Sequence, residues 1–96
     1  MADARRIVLD VLKPHDPPLR KFTEHIADAE TVDAATGSLI ELDQEVQNVK
    51  ITVEGTALDY AAIEESIENL GGTVHSVDQA AYGEYIAEDH RTLQDG

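Results

Sequence analysis

The residues of this chain that could do chemistry are carboxylates and histidines rather than cysteines or activated hydroxyls. "VLDVLKPHDPPLRKF" sets Asp10 inside an apolar run, then closes it with a loop holding His15, Asp16 and three prolines. "DQEVQN" adds Asp43 and Glu45, and "TVHSV" adds His75. Oxygen-rich sets of this kind suit the hard cations Ca²⁺ and Mg²⁺. Two histidines beside acids could also serve Zn²⁺, but the Cys/His spacings that Zn²⁺ favours are absent, as is the EF-hand loop pattern. Each residue also has an ordinary structural role. Asp16 can cap a helix, Asp43 and Glu45 suit a turn, and His15 suits a solvated loop.

Other chemistry has less to stand on. Ser38, Ser66 and Ser76 lack a Ser–His–Asp setting, and "NLGGTVH" reads as a helix stop, not a phosphate cradle. His25 and His90 are read as surface and tail residues. The chain is expected not to be an enzyme. With no cysteine there is no disulfide, thiolate metal site or thiol nucleophile, which fits a cytoplasmic protein. No secretory leader pattern and no run of apolar residues long enough for a membrane span occur.

Ninety-six residues suit one domain with a modest core, and 42% hydrophobic content with three tyrosines and one phenylalanine makes that core aliphatic. Twenty acids against seven Lys plus Arg give a net charge of −13. That balance excludes nucleic acid and anionic membrane surfaces as partners, both of which require clustered basic residues. An RNA-binding sheet face would also need aromatics and arginines. Lysine is confined to Lys13, Lys21 and Lys50. Dense carboxylates repel one another at low ionic strength, and salt screens that repulsion.

The elements that must position these groups follow from periodicity. Ile7, Leu9 and Val11 alternate with Val8, Asp10 and Leu12, predicting a strand over 5–12. Asp16 is placed as the cap of a helix starting at Pro17, whose stripe is Leu19, Phe22, Ile26 and Ala29. A second strand is expected over 32–42, with Ile40 and Leu42 facing the core, Leu39 and Glu41 facing away, and a bulge at Gly37. Val49, Ile51 and Val53 mark a third strand. Asp59 caps a second helix carrying Ile63, Ile67 and Leu70, stopped by Gly71-Gly72. A fourth strand spans 73–77. Beyond it, "AAYGEYIA" could add a short strand and "EDHRTLQDG" is expected to be mobile. The domain is placed at 1–83, with an acidic tail over 84–96.

The order βαββαβ predicts an α+β, ferredoxin-like sandwich: a four-stranded antiparallel sheet, order 4-1-3-2, with two helices on one face. In that topology the first loop, the hairpin and the start of the fourth strand share one end. Asp10, His15, Asp16, Asp43, Glu45 and His75 therefore converge on one rim and form the candidate cation site. The sheet face left open mixes Val8, Leu12, Leu39 and Val77 with Asp10, Glu41, Lys50, Thr52, Glu54 and His75. Aliphatics on such a face point to self-association.

"RIVLDVLKPHDPPLRKF", "LIELDQEVQNVKITVEG" and "IEESIENLGGTVHSVDQAAYG" together resemble the archaeal domain-of-unknown-function 211 family, over roughly Arg5 to Gly83. The resemblance implies a ferredoxin-like fold, no established activity, and ring-like homo-oligomers with bound calcium. Greater acidity and an extra proline in "HDPP" depart from the family and suit a haloarchaeal member. The leading expectation is a non-enzymatic, homo-oligomeric calcium-binding module, with Mg²⁺ as the alternative ion. The other is a small-ligand-sensing regulatory domain that uses the "KPHDPP" loop, resembling amino-acid-binding ferredoxin-like modules.

If carboxylate repulsion is substantial, the melting temperature should rise by several degrees between low and molar KCl, as read by circular dichroism. A curve indifferent to KCl removes the halophilic reading.

Overall fold

Ile7, Leu9, Val11 and Lys13 share one face of the first strand, and everything else packs around that row. The computed structural model describes residues 2–84. Its elements are β1 (Ala4–Pro14), α1 (Leu19–Ala27), β2 (Ala34–Leu42), β3 (Val46–Glu54), α2 (Tyr60–Asn69) and β4 (Thr73–Tyr82). The sheet is antiparallel, in the order β2-β3-β1-β4, which is the expected ferredoxin-like arrangement. β1 pairs Ile7 with Val53, Leu9 with Ile51 and Val11 with Val49, so two apolar rows lie side by side. Phe22 and Ile26 of α1 and Ile63 and Ile67 of α2 close over them, all fully buried. Each such side chain contributes roughly 1.5–3 kcal/mol through burial.

α2 starts and stops as its sequence predicts. Asp59 accepts from the Ala62 N–H at 3.3 Å. At the other end the Gly71 N–H donates to Glu68 O and the Gly72 N–H to Ile67 O, with Gly71 at φ +87°. These paired bonds satisfy carbonyls that the last turn leaves open.

α1 does not start where Asp16 was expected to cap it. Its N-cap is Pro18, in an extended conformation with no side-chain cap, and the first helical bond runs from the Phe22 N–H to Pro18 O at 2.9 Å. A residue before proline is driven out of the helical region, so Pro18 holds Pro17 extended and delays the helix. The helix also ends at Ala27, two residues short of Ala29, which packs against the core from outside it.

The edge strands depart most from expectation. β2 begins at Ala34, not Val32, although Val32 is buried. Its bulge falls between Leu39 and Glu41, not at Gly37. Leu39 faces Val49 on the helix side, while Ile40 is the extra residue of the bulge and is 57% exposed. Leu42 pairs with Gln47 beside Lys13, on the helix side, yet is 62% exposed. Gly37 serves a different purpose: a methyl there would overlap Thr23 Oγ1 and come within 3.1 Å of Leu19 Cδ1, so glycine lets α1 lie close on β2. β4 runs on to Tyr82, absorbing "AAY" into one strand. Val77 pairs with Leu9 and so belongs to the helix side, not the open face. The expectations for the tail beyond residue 84 lie outside the described residues.

Lys13 continues the buried row and is 0% exposed. Its ammonium donates to Pro14 O at 2.7 Å, to Pro17 O at 2.5 Å and to His15 O at 3.5 Å, and lies 5.7 Å from the Phe22 ring centroid. Three donors thus meet the carbonyls of the β1–α1 loop, with the aromatic face behind them. Burial pushes the ammonium pKa below its ordinary 10.5, opposed by the nearby Asp16 carboxylate.

Lys13→Met should destabilise the fold by about 1–3 kcal/mol, because it leaves loop carbonyls unpaired in the interior. Denaturant midpoints measure the loss, and amide exchange over 15–19 should accelerate. Gly37→Ala should cost about 1–3 kcal/mol by overpacking against Thr23. Thr23→Val, by contrast, should leave stability unchanged or raise it, since Thr23 Oγ1 is buried with no hydrogen-bond partner.

Candidate functional site

The open face of the sheet is ordered by register. Directly opposed residues on antiparallel strands share a face. One row across the sheet is Ala34, Glu54, Arg6 and Ala81, and the next is Thr36, Thr52, Val8 and Gln79. Then come Ser38, Lys50, Asp10 and Ser76, and finally Glu41, Asn48, Leu12 and Thr73. Register shifts on β4 insert His75 and Asp78 between these rows, and the β2 bulge inserts Ile40. Bulges commonly re-aim side chains in this way.

The predicted convergence at one end is present. Pro14 pairs with Val46 at the hairpin, and Leu12 with Thr73 at the start of β4. The His15 ring reaches across from the β1–α1 loop, with Nε2 3.0 Å from Asp43 O. A carbonyl oxygen only accepts, so Nε2 carries the proton and Nδ1 is the ring nitrogen left for a ligand.

Not all six predicted residues meet. A cleft of about 290 Å³ at this end draws together Asp10, Asp43 and His75, and adds Glu41 and Asn48. His15 and Asp16 lie in the loop and Glu45 at the hairpin tip, all exposed and none lining that cleft. Asp10 Oδ1 accepts from Asn48 Nδ2 at 2.5 Å, and Asp43 Oδ1 accepts from the Gln44 N–H at 2.7 Å. Each carboxylate therefore keeps its second oxygen outside these bonds. No Lys or Arg lines the cleft, so its potential is negative. Among the described residues, no three His, Asp or Glu side chains stand close enough to hold a bare metal ion by themselves. The arrangement can attract a hydrated cation rather than cage a naked one.

Two residues at this end escaped the sequence reading. Glu41 was seen on the open face but not placed in the site; its pairing with Asn48, after the β2 bulge, sets it at the cleft. Lys13 was passed over because the strand was ended at Leu12; the core period Ile7, Leu9, Val11 already pointed to position 13.

Among the described residues, no helix is long and apolar enough to cross a membrane. A family model described as an uncharacterised ArCR matches residues 5–96. The uncharacterised protein MJ0319 of Methanocaldococcus jannaschii is 44% identical over 95 residues, covering 99% of this chain and 98% of that one. The match extends through the β1–α1 loop, the hairpin and the β4 bulges that build the rim, and on it the chain belongs to the DUF211 family.

Proposed function

We propose that this chain is a non-enzymatic, self-assembling module that holds a hydrated divalent cation, Ca²⁺ or else Mg²⁺, at the rim cleft. The observation that carries this reading is the meeting of Asp10, Glu41 and Asp43 with His75 around one cleft with no basic residue in its wall. Oxygen donors select hard cations, and ions of this class keep several waters when protein ligands are few. His15, tied to the Asp43 carbonyl, braces the hairpin side of the cleft from the β1–α1 loop.

Self-assembly is supported by the sheet edges. Leu39, Ile40 and Leu42 on β2, and Val77 and Tyr82 on β4, are large apolar residues left exposed. Edge strands of this kind are templates for pairing with another chain. β2 and β4 are opposite edges of one sheet, so a head-to-tail contact between copies closes into a ring if the rotation permits. A ligand supplied by a neighbouring copy could then complete the cation's shell. The acidic surface further supports a haloarchaeal source and a cytoplasmic, high-salt setting. The metabolite-sensing alternative at "KPHDPP" has weaker support, since the loop carbonyls of Pro14 and Pro17 are already taken by Lys13.

Native mass measurement with Ca²⁺ and with chelator tests both parts. The assembly should be larger with the ion and dissociate on chelation. Glu41→Gln with Asp43→Asn should weaken Ca²⁺ affinity at least roughly tenfold, the scale of losing charge-assisted contacts. Glu45→Gln, outside the cleft, should leave it unchanged. Unaltered affinity in the double variant rejects the assignment of this cleft.

A further inference from the structure

A second cleft, of about 600 Å³, lies on the open face beyond the rim and has a different electrical character. Its β2–β3 side is a square of donors. Thr36 opposes Thr52, and Ser38 opposes Lys50 one row on, so an ammonium and three hydroxyls share one patch. The cross-strand partner of Lys50 on β1 is Asp10, but Asp10 takes the amide of Asn48. The ion pairs among the described residues are Arg6 with Glu54 and Lys21 with Glu24, and Lys50 is in neither. In a chain of net charge −13, this lysine has no carboxylate bound to it among the described residues.

The β4 side is the opposite. The shift in register between Val8 and Leu9 brings Asp78 to this cleft, where its carboxylate accepts from the Ser76 hydroxyl at 2.7 Å and is in no ion pair among the described residues. Glu54, the other acid of the wall, is neutralised by Arg6 at 2.9 Å. Val8 lies on β1 between the two sides. Among the described residues, the cleft therefore offers an ammonium outside any ion pair, with hydroxyls, on one side and a carboxylate outside any ion pair on the other, with Val8 between them. Lys50 and Asp78 belong to strands two steps apart, about 10 Å between backbones at the usual strand spacing, so the two charges flank the cleft from either side of β1 at a distance a short-chain ligand can bridge.

The geometry points to a binding site for a small zwitterion, an amino acid whose carboxylate and ammonium are separated by a short chain. The carboxylate is received by Lys50 with Thr36, Ser38 and Thr52, and the ammonium by Asp78. Neither charge sign alone matches the cleft: a simple anion meets Asp78 unpaired, and a simple cation meets Lys50 unpaired. The site shares no wall residue with the rim cleft and does not depend on a metal.

The test is an amide-resolved NMR titration of the full chain with γ-aminobutyrate, butyrate and n-butylamine, at fixed ionic strength with chelator present. γ-Aminobutyrate should give saturable shifts at Thr36, Ser38, Lys50, Thr52 and Gln79, and bind at least roughly fivefold more tightly than either fragment. Lys50 is exposed, so Lys50→Met should keep the native spectrum while weakening γ-aminobutyrate roughly tenfold. Asp78→Asn should remove the advantage of γ-aminobutyrate over butyrate. Absence of saturable shifts, equal binding of butyrate and γ-aminobutyrate to the unmodified chain, or full affinity in Lys50→Met each overturns the proposal.

Discussion

The ammonium of Lys13, held inside by backbone carbonyls, is the interaction on which the rim end of this molecule depends. A buried charge is costly unless its hydrogen-bonding capacity is filled, and here the β1–α1 loop fills it. The loop is thereby wrapped onto the end of β1. That wrapping fixes where α1 begins, sets Phe22 against the lysine stem, and carries His15 to the hairpin carbonyl of Asp43. The rim is thus held from both sides by a charge that never reaches solvent. Within the loop, the carbonyls of Pro14, His15 and Pro17 are met by a cation that the chain itself supplies.

The second organising device is irregular pairing. Regular strands would have made the open face a plain checkerboard. The β4 irregularities instead add His75 to the cleft beside Asp10, and Asp78 to the cleft beside Lys50. The two clefts divide at the row of Ser38, Lys50, Asp10 and Ser76, where one strand carries a base and its neighbour an acid that do not pair. Asn48 is responsible, because its amide occupies Asp10 and leaves Lys50 free to serve the other side.

What could be read from the chain follows the same division. β1 and β3 have strict two-residue periods and both lie at the centre of the sheet, so their faces, their pairing and the fold were legible. α2 was legible because Asp59 and Gly71 act through local geometry alone. The edge strands were not, since a bulge reverses every later side chain without altering composition; Leu39, Ile40 and Val77 were misplaced for that reason. Gly37 is ambiguous by nature: a glycine in a strand serves a bulge or a close neighbour, and only the position of Thr23 on α1 decides. Three of the six rim residues meet at the cleft: Asp10 and Asp43 because connectivity brings β1 and the hairpin to one end, and His75 because the β4 register shift adds it there. His15, Asp16 and Glu45 share that end but do not line the cleft, although the His15 ring reaches the carbonyl of Asp43 at its wall.

From Thr73 to Ala81, β4 uses nine positions to match the seven of β1 from Leu12 to Arg6. Its two surplus residues each invert the inside–outside parity, and together they cancel. Loss of one residue between Val74 and Gln79 would turn half the strand inside out, whereas loss of both extras would restore an even ladder stripped of His75 and Asp78. A change of length along this edge therefore preserves the two faces only when it comes in pairs, and a paired deletion would leave a sound sandwich without its two most individual side chains.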